Sequence, residues 1–181
     1  IGPCLLGLVQ VAVVAGEQVG IAYAAPHLDL SRSAVFATVQ DKHGVDFMLR
    51  GFVKAELFND EQADAMYRAG FRWLLTGFES GDPTILSNIK KIATRDDNTR
   101  CVNIAKRHNL KVKALMSIGH AGESLESVEN TKNWILESEP EDFDCTIITT
   151  YPGSPYFDDA IKENDYYVYT DKKSGDKLYQ A

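Results

Sequence analysis

The chain has 181 residues, a formal net charge of −7, 44% hydrophobic and 25% charged residues, the balance of an ordinary globular protein of about one domain. That acidic balance excludes a phosphate-backbone partner, which needs a basic surface. Three scattered cysteines, Cys4, Cys101 and Cys145, exclude a disulfide framework, a short-spaced zinc site and a redox CxxC.

The apolar run from Leu5 to Ala15 contains Gln10 and follows no cationic segment. It is too short to span a bilayer and lacks a signal peptide's charged start. The expectation is therefore a cytoplasmic protein with neither nucleic acid nor membrane as partner. A first residue of Ile1 rather than methionine points to a fragment. Residues Leu5 to Val14 read as a buried strand and Ile21 to Ala25 as a second, ended by Pro26. Ser31 to Lys42 has helical spacing in Val35, Phe36 and Val39.

From Gly44 the pattern sharpens. Val45 to Val53 suits a strand. Asn59 and Gln62 have capping-box spacing, with Ala63, Met66 and Tyr67 on the inward helical face that follows. Gly70 can end that helix in the left-handed conformation. The run from Phe71 to Phe78 is a buried strand that stops on Glu79-Ser80-Gly81. Asp82-Pro83 is an N-cap and first-turn pair for a short helix. Thr94 caps the next helix, with Asn109 as its left-handed end. Lys111 to Ile118 is a strand, broken at Gly119 to Ser124, and a helix through Leu125, Val128 and Ile135 stops near Pro140. Phe143 to Thr150 is a further strand, closed by Tyr151-Pro152-Gly153-Ser154-Pro155. A short helix from Tyr156 to Lys162 follows, and the tail around Tyr166 to Leu178 reads as a β-hairpin.

Strands alternating with helices through short turns mean a parallel sheet with helical cover. In that layout the strand ends deliver Arg50 and Lys54, then Glu79 and Ser80, then Gly119, His120 and Glu123, then Tyr151 to a single rim. Such a rim suits a zwitterionic ligand with an amine, a carboxylate and hydroxyls, with helix starts offering free N–H groups. Taken singly these residues say less. His120 reads as a loop or cap histidine with no identified partner, Cys101 as a small core residue and Cys145 as a buried strand residue. Lys90 and Lys91 read as solvated, and Glu79-Ser80 as the start of a helix cap.

Three segments in order carry more weight: Gly77-Phe78-Glu79-Ser80, Gly119-His120-Ala121-Gly122-Glu123-Ser124 and Tyr151-Pro152-Gly153-Ser154-Pro155-Tyr156. Together they resemble the "GxES", "GxPGES" and "YPGTPxY" loops of the radical S-adenosylmethionine enzymes, closest to the branch with an upstream cobalamin-binding domain. The resemblance covers about residues 44 to 165, with 1–43 poorly matched and 166–181 a hairpin tail. It implies an α/β fold, a partial (β/α)6 TIM-like barrel of parallel strands with a C-terminal β-hairpin. Within it Glu79 and Ser80 would contact the methionine amine or ribose of S-adenosylmethionine. Gly77 belongs to the same loop, and Lys54 and Lys91 match basic positions of the family. Gly119 and Gly122 would let the adenine approach, and Tyr151, in the segment that ends the sixth strand, would be a further cofactor-binding residue.

The family's [4Fe-4S] cluster, held by a CxxxCxxC, reduces the sulfonium to release a 5′-deoxyadenosyl radical that abstracts hydrogen from a small-molecule substrate. A reductant protein supplies the electron, and cobalamin adds methyl transfer in the branch named. This chain has no CxxxCxxC, and Ala121 replaces the usual proline. The expectation is a fragment of such an enzyme that is inactive alone. The alternatives are a cluster-less protein binding S-adenosylmethionine or another small molecule, and an ordinary barrel enzyme using His120 and Glu79 as acid and base.

Overall fold

The computed structural model describes the backbone of residues 9–15, 18–24, 30–44, 46, 48–149, 161–163, 166–170 and 177–180, and side chains within 37–44, 46 and 48–149. Strands β1 (Val9–Ala15) and β2 (Gln18–Ala24) precede helix α1 (Leu30–His43). Three β-α-β units follow: β3 (Leu49–Phe52), α2 (Asp60–Arg68), β4 (Phe71–Glu79), α3 (Pro83–Asn88), α4 (Arg95–Arg107), β5 (Lys111–Ile118), α5 (Leu125–Ser138) and β6 (Asp142–Ile147). The described chain ends with β7 (Ile161–Glu163), β8 (Tyr166–Thr170) and β9 (Lys177–Gln180).

Strands β3-β4-β5-β6 lie side by side in sequence order, every pair parallel. Helical crossovers make this possible, because parallel neighbours need a dozen or more residues of return path. The helix boundaries follow local chemistry. Asn59 Oδ1 accepts from Gln62 N at 2.9 Å while Asn59 N donates to Gln62 Oε1 at 3.3 Å, completing the expected capping box of α2. Asp82 Oδ1 accepts from Thr84 N and Ile85 N at 2.8 and 3.0 Å ahead of Pro83 in α3. Thr94 caps α4 through Asp97, and Asn109 follows that helix at φ +56°.

The core lies between this sheet and its helices. Leu49, Phe71, Leu74, Phe78, Val112, Ala114 and Met116 meet Met66, Val102, Ile104 and Trp134 there. Trp134 of α5 sets its ring edge-on to Phe78, 5.1 Å between centroids, and its indole N–H donates to Thr99 Oγ1 at 2.9 Å. Truncating either aromatic to alanine costs about 3–5 kcal/mol at such sites.

The expected (β/α)6 barrel with a C-terminal hairpin is not what the chain builds. Among the described residues the parallel sheet has four strands, with β3 and β6 at its edges, and β1 and β2 form a separate antiparallel pair. Only residues 16 and 17 separate β1 from β2, which permits a hairpin and forbids a parallel crossover. The C-terminal unit is a three-stranded antiparallel sheet, β7-β8-β9, not a two-stranded hairpin. Ile161 and Lys162, expected to end a helix, lie in β7.

Candidate functional site

The carboxyl ends of β4 and β5 form the site. The β4–β5 register slips between Gly77 and Glu79, and Glu79 takes φ +65°, a left-handed conformation that costs a glutamate on the order of 1–3 kcal/mol. There its Oε2 accepts from Ser117 Oγ at 2.8 Å. Lys91 Nζ, in the turn after α3, lies 3.5 Å from Oε1. Both side chains of that pair are about a third open to solvent, 29% for Lys91 and 33% for Glu79. An ion pair so long and so wet contributes roughly 0–1 kcal/mol, less than the backbone strain beneath it. The 2.8 Å hydrogen bond from Ser117 offsets that strain, but it occupies one carboxylate oxygen only, and a left-handed glutamate at a strand end marks a candidate functional position.

Gly77 makes room for the pair, since a Cβ on it would lie 2.7 Å from Glu79 Oε1 and 3.7 Å from Lys91 Nζ. A cavity of about 340 Å3 opens beside them, lined by Lys54, Glu56, Gly77, Lys90, Lys91 and Ile92 among others. That volume is at the small end of ligand pockets. The structure thus brings Lys54, Gly77, Glu79 and Lys91 together. Lys91, which reads as solvated on its own, is the counter-charge of the site.

The loop after β5 leaves the same end of the sheet. Gly119 and Gly122 turn at φ +92° and +80°. A Cβ at Gly122 would lie 2.6 Å from Asn88 Nδ2, the amide that donates to Ala121 O at 2.9 Å and ties this loop to the end of α3. Gly119 N donates to Glu123 Oε2. His120 is only 4% exposed, and its Nε2 lies 2.7 Å from Ser117 Oγ. Burial pushes the His120 pKa below the ordinary imidazole value, against the pull of Glu123 and Glu79. With Ser117 standing between them and His120 buried, His120 and Glu79 do not form the acid–base pair of the ordinary-barrel alternative, which needs both at one substrate atom.

Ser80 is turned the other way. It is 1% exposed, shares a 2.9 Å hydrogen bond with Thr131 Oγ1 and accepts from Asp82 N at 3.0 Å, fastening the strand end to α5. Arg50, expected on the rim, sits at the opposite end of the sheet, with its guanidinium 5.5 Å from the Trp73 ring centroid. Together with Asp46, Met48, Leu49 and Arg72 these two line a cavity of about 390 Å3 there. Tyr151 lies outside the described residues. Ser117, which donates to Glu79 Oε2, is the residue of this candidate site that sequence reading passed over. A hydroxyl one residue before the end of an otherwise apolar strand was its signal.

The described cysteines, Cys101 and Cys145, do not fit a [4Fe-4S] cluster. Metal ligands are thiolates, yet Cys101 is fully buried and its pKa is pushed up by that burial to about 12. Cys145 is exposed on the edge strand β6, not buried as its sequence context predicts, and desolvation still raises its pKa. Among the described residues no three His, Cys, Asp or Glu are grouped to hold a metal ion, and no helix is long and apolar enough to cross a membrane.

The family model of the radical SAM superfamily matches residues 14–135, well over half of the chain. The chain belongs to the radical SAM superfamily. An uncharacterised methyltransferase of Pyrococcus horikoshii is 30% identical over 123 residues, 68% of this chain and 27% of that protein. The bacteriochlorophyllide d C-12(1)-methyltransferase of Chlorobaculum tepidum is 29% identical over 133 residues, 66% and 29% of the two chains. This chain therefore spans little more than a quarter of either relative. Its fold is similar to that of the radical S-adenosylmethionine methyltransferase TsrM from Kitasatospora setae, solved with cobalamin and a [4Fe-4S] cluster. The TM-score there is 0.64 at 16% identity, covering 72% of this chain and 27% of that one. Coproporphyrinogen III oxidase of Escherichia coli, a radical SAM enzyme, gives 0.59 at 12% identity over 69% and 30%. What the chain carries is a radical SAM region without the CxxxCxxC of the superfamily.

Proposed function

We propose that this chain holds S-adenosylmethionine at the carboxyl rim of its parallel sheet, as one part of a larger radical SAM protein. The observation that carries this reading is Glu79, a strained carboxylate with one oxygen fixed and the other facing only a distant lysine beside an open cavity. Its Oε1 is suited to the ligand's ammonium or ribose hydroxyls, and Lys91 and Lys54 to its carboxylate. Gly77 lets Glu79 and Lys91 pack against the strand, Gly119 and Gly122 turn the loop after β5 along the same rim, and Tyr151 belongs to the same assignment. Ser80 contributes by anchoring the strand end rather than by contact.

Bound S-adenosylmethionine supplies an activated sulfonium. The residues of this chain hold it and exclude water from it. No step through an iron–sulfur cluster is assigned here, since the described cysteines do not fit one and the sequence has no CxxxCxxC. Reduction by a partner protein, a small-molecule substrate and methyl transfer with cobalamin are assigned to the whole protein; the methyltransferase names among the relatives support the methyl transfer alone. A second reading, binding without redox chemistry, is favoured by the same cysteine arrangement.

Isothermal titration of S-adenosylmethionine into the wild-type chain and Glu79→Ala tests the assignment. A charged hydrogen bond is worth about 1.5–3 kcal/mol, so Glu79→Ala weakens binding by roughly ten- to a hundredfold. Unchanged affinity contradicts it.

A further inference from the structure

Ser117 has a single O–H, and the structure gives it to Glu79 Oε2 at 2.8 Å. The other neighbour of Ser117 Oγ, His120 Nε2 at 2.7 Å, must then be the donor, because a hydroxyl with its one proton spent can only accept. That fixes the imidazole as the Nε2–H tautomer and leaves Nδ1 a bare acceptor. Nδ1 is indeed buried without a hydrogen-bond partner. An orphaned acceptor costs stability, and a histidine that only capped a loop would have turned it to water.

The backbone is bent to make this contact. Gly119 at φ +92° folds the chain back so that Ser117 and His120 meet across three residues. Glu123 N donates to His120 O at 3.0 Å and Glu123 Oε2 accepts from Gly119 N, closing the turn around the ring.

The geometry points to His120 as a positioning residue of the Glu79 site, acting through Ser117 and resting on the reading of that site given above. The Nε2–H holds the Ser117 hydroxyl toward Glu79. Glu79 Oε2 is thereby occupied, and Oε1 alone faces Lys91 and the ligand. His120 itself touches no ligand, since Nδ1 is sealed from solvent.

Two readouts on the full 181-residue chain test this. Long-range proton–nitrogen NMR of His120 should show a neutral ring protonated at Nε2, and Ser117→Ala should release that preference. In titrations with S-adenosylmethionine, His120→Leu should bind about fivefold more weakly, the worth of one hydrogen bond. His120→Gln, whose amide N–H can replace the imidazole donor, should recover most of that loss. Ser117→Ala, a smaller change, gives the same binding test should His120→Leu fail to fold. An Nδ1–H ring in the wild type overturns the assignment. So does full binding by His120→Leu where Glu79→Ala loses it. If Glu79→Ala binds as wild type, the ligand reading of the site fails separately, and the tautomer with its response to Ser117→Ala decides the hydrogen-bond chain alone.

Discussion

Glu79, Ser117 and His120 form a line of three polar side chains whose hydrogen-bond directions are fixed by what each can donate. The neutral, buried imidazole at its inner end makes stability depend on pH. Burial is the largest influence on His120 and pushes its pKa down, while Glu123 in its own loop and Glu79 across on β4 pull it up without prevailing. The unfolded chain then binds a proton, near the ordinary value of about 6.5, that the folded chain refuses. By linkage, His120's contribution is fully present above that pH and is lost as pH falls through the depressed folded value. Chemical denaturation between pH 7 and 5 should therefore show a decline in stability that is shallower in His120→Gln. Equal slopes in the two proteins contradict this. Glu79 was legible in the sequence because it ends an apolar strand between two glycines. The role of His120 was not, because its partner is a serine hidden in the apolar pattern of β5, and burial of a loop histidine depends on packing that spacing does not encode.

At the scale of elements, the crossing of β4 by α5 is the tightest constraint on the site. Gly81 lies so close to α5 that a Cβ there would meet Trp134 Cβ at 2.5 Å and Thr131 Cα at 3.0 Å. One of those atoms is backbone, so nothing nearby can turn aside. Gly81→Ala should lose about 1–3 kcal/mol by overpacking, read as a lower denaturation midpoint, whereas a wild-type midpoint would show that the helix can slide. Helix starts were the most legible features, since Asn59 with Gln62, Asp82 with Pro83, and Thr94 act through chain neighbours. Strand partnership was less so. The apolar runs of β1 and β2 look like the parallel strands further on, and only the two-residue link between them forces them antiparallel. Cys145 misled in a similar way: Phe143, Cys145 and Ile147 alternate with polar residues as on a half-buried strand, yet β6, at the edge of the described sheet, leaves Phe143 51% and Ile147 66% exposed.

For the whole molecule, two cavities among the described residues lie at opposite ends of the sheet, and the one beside Glu79 is at the carboxyl end. The second, around Arg50, Arg72 and Trp73, opens at the amino end, where open α/β sheets do not bind their ligands. Family membership was legible from three loop motifs, of which Gly77–Ser80 and Gly119–Ser124 lie at the carboxyl ends of β4 and β5 and the third lies outside the described residues. That the described parallel sheet has four strands, β3 to β6, was not, because the motifs say nothing about what precedes β3. The central claim is that S-adenosylmethionine sits at the carboxyl rim. A proton–nitrogen correlation spectrum of the labelled chain, titrated with S-adenosylmethionine, tests it most directly. The expected result is movement of the amides of Gly77, Glu79, Lys91 and Gly119 with Arg50 and Trp73 unmoved. Shifts centred on Arg50 and Trp73, or none anywhere at saturating ligand, would contradict the account.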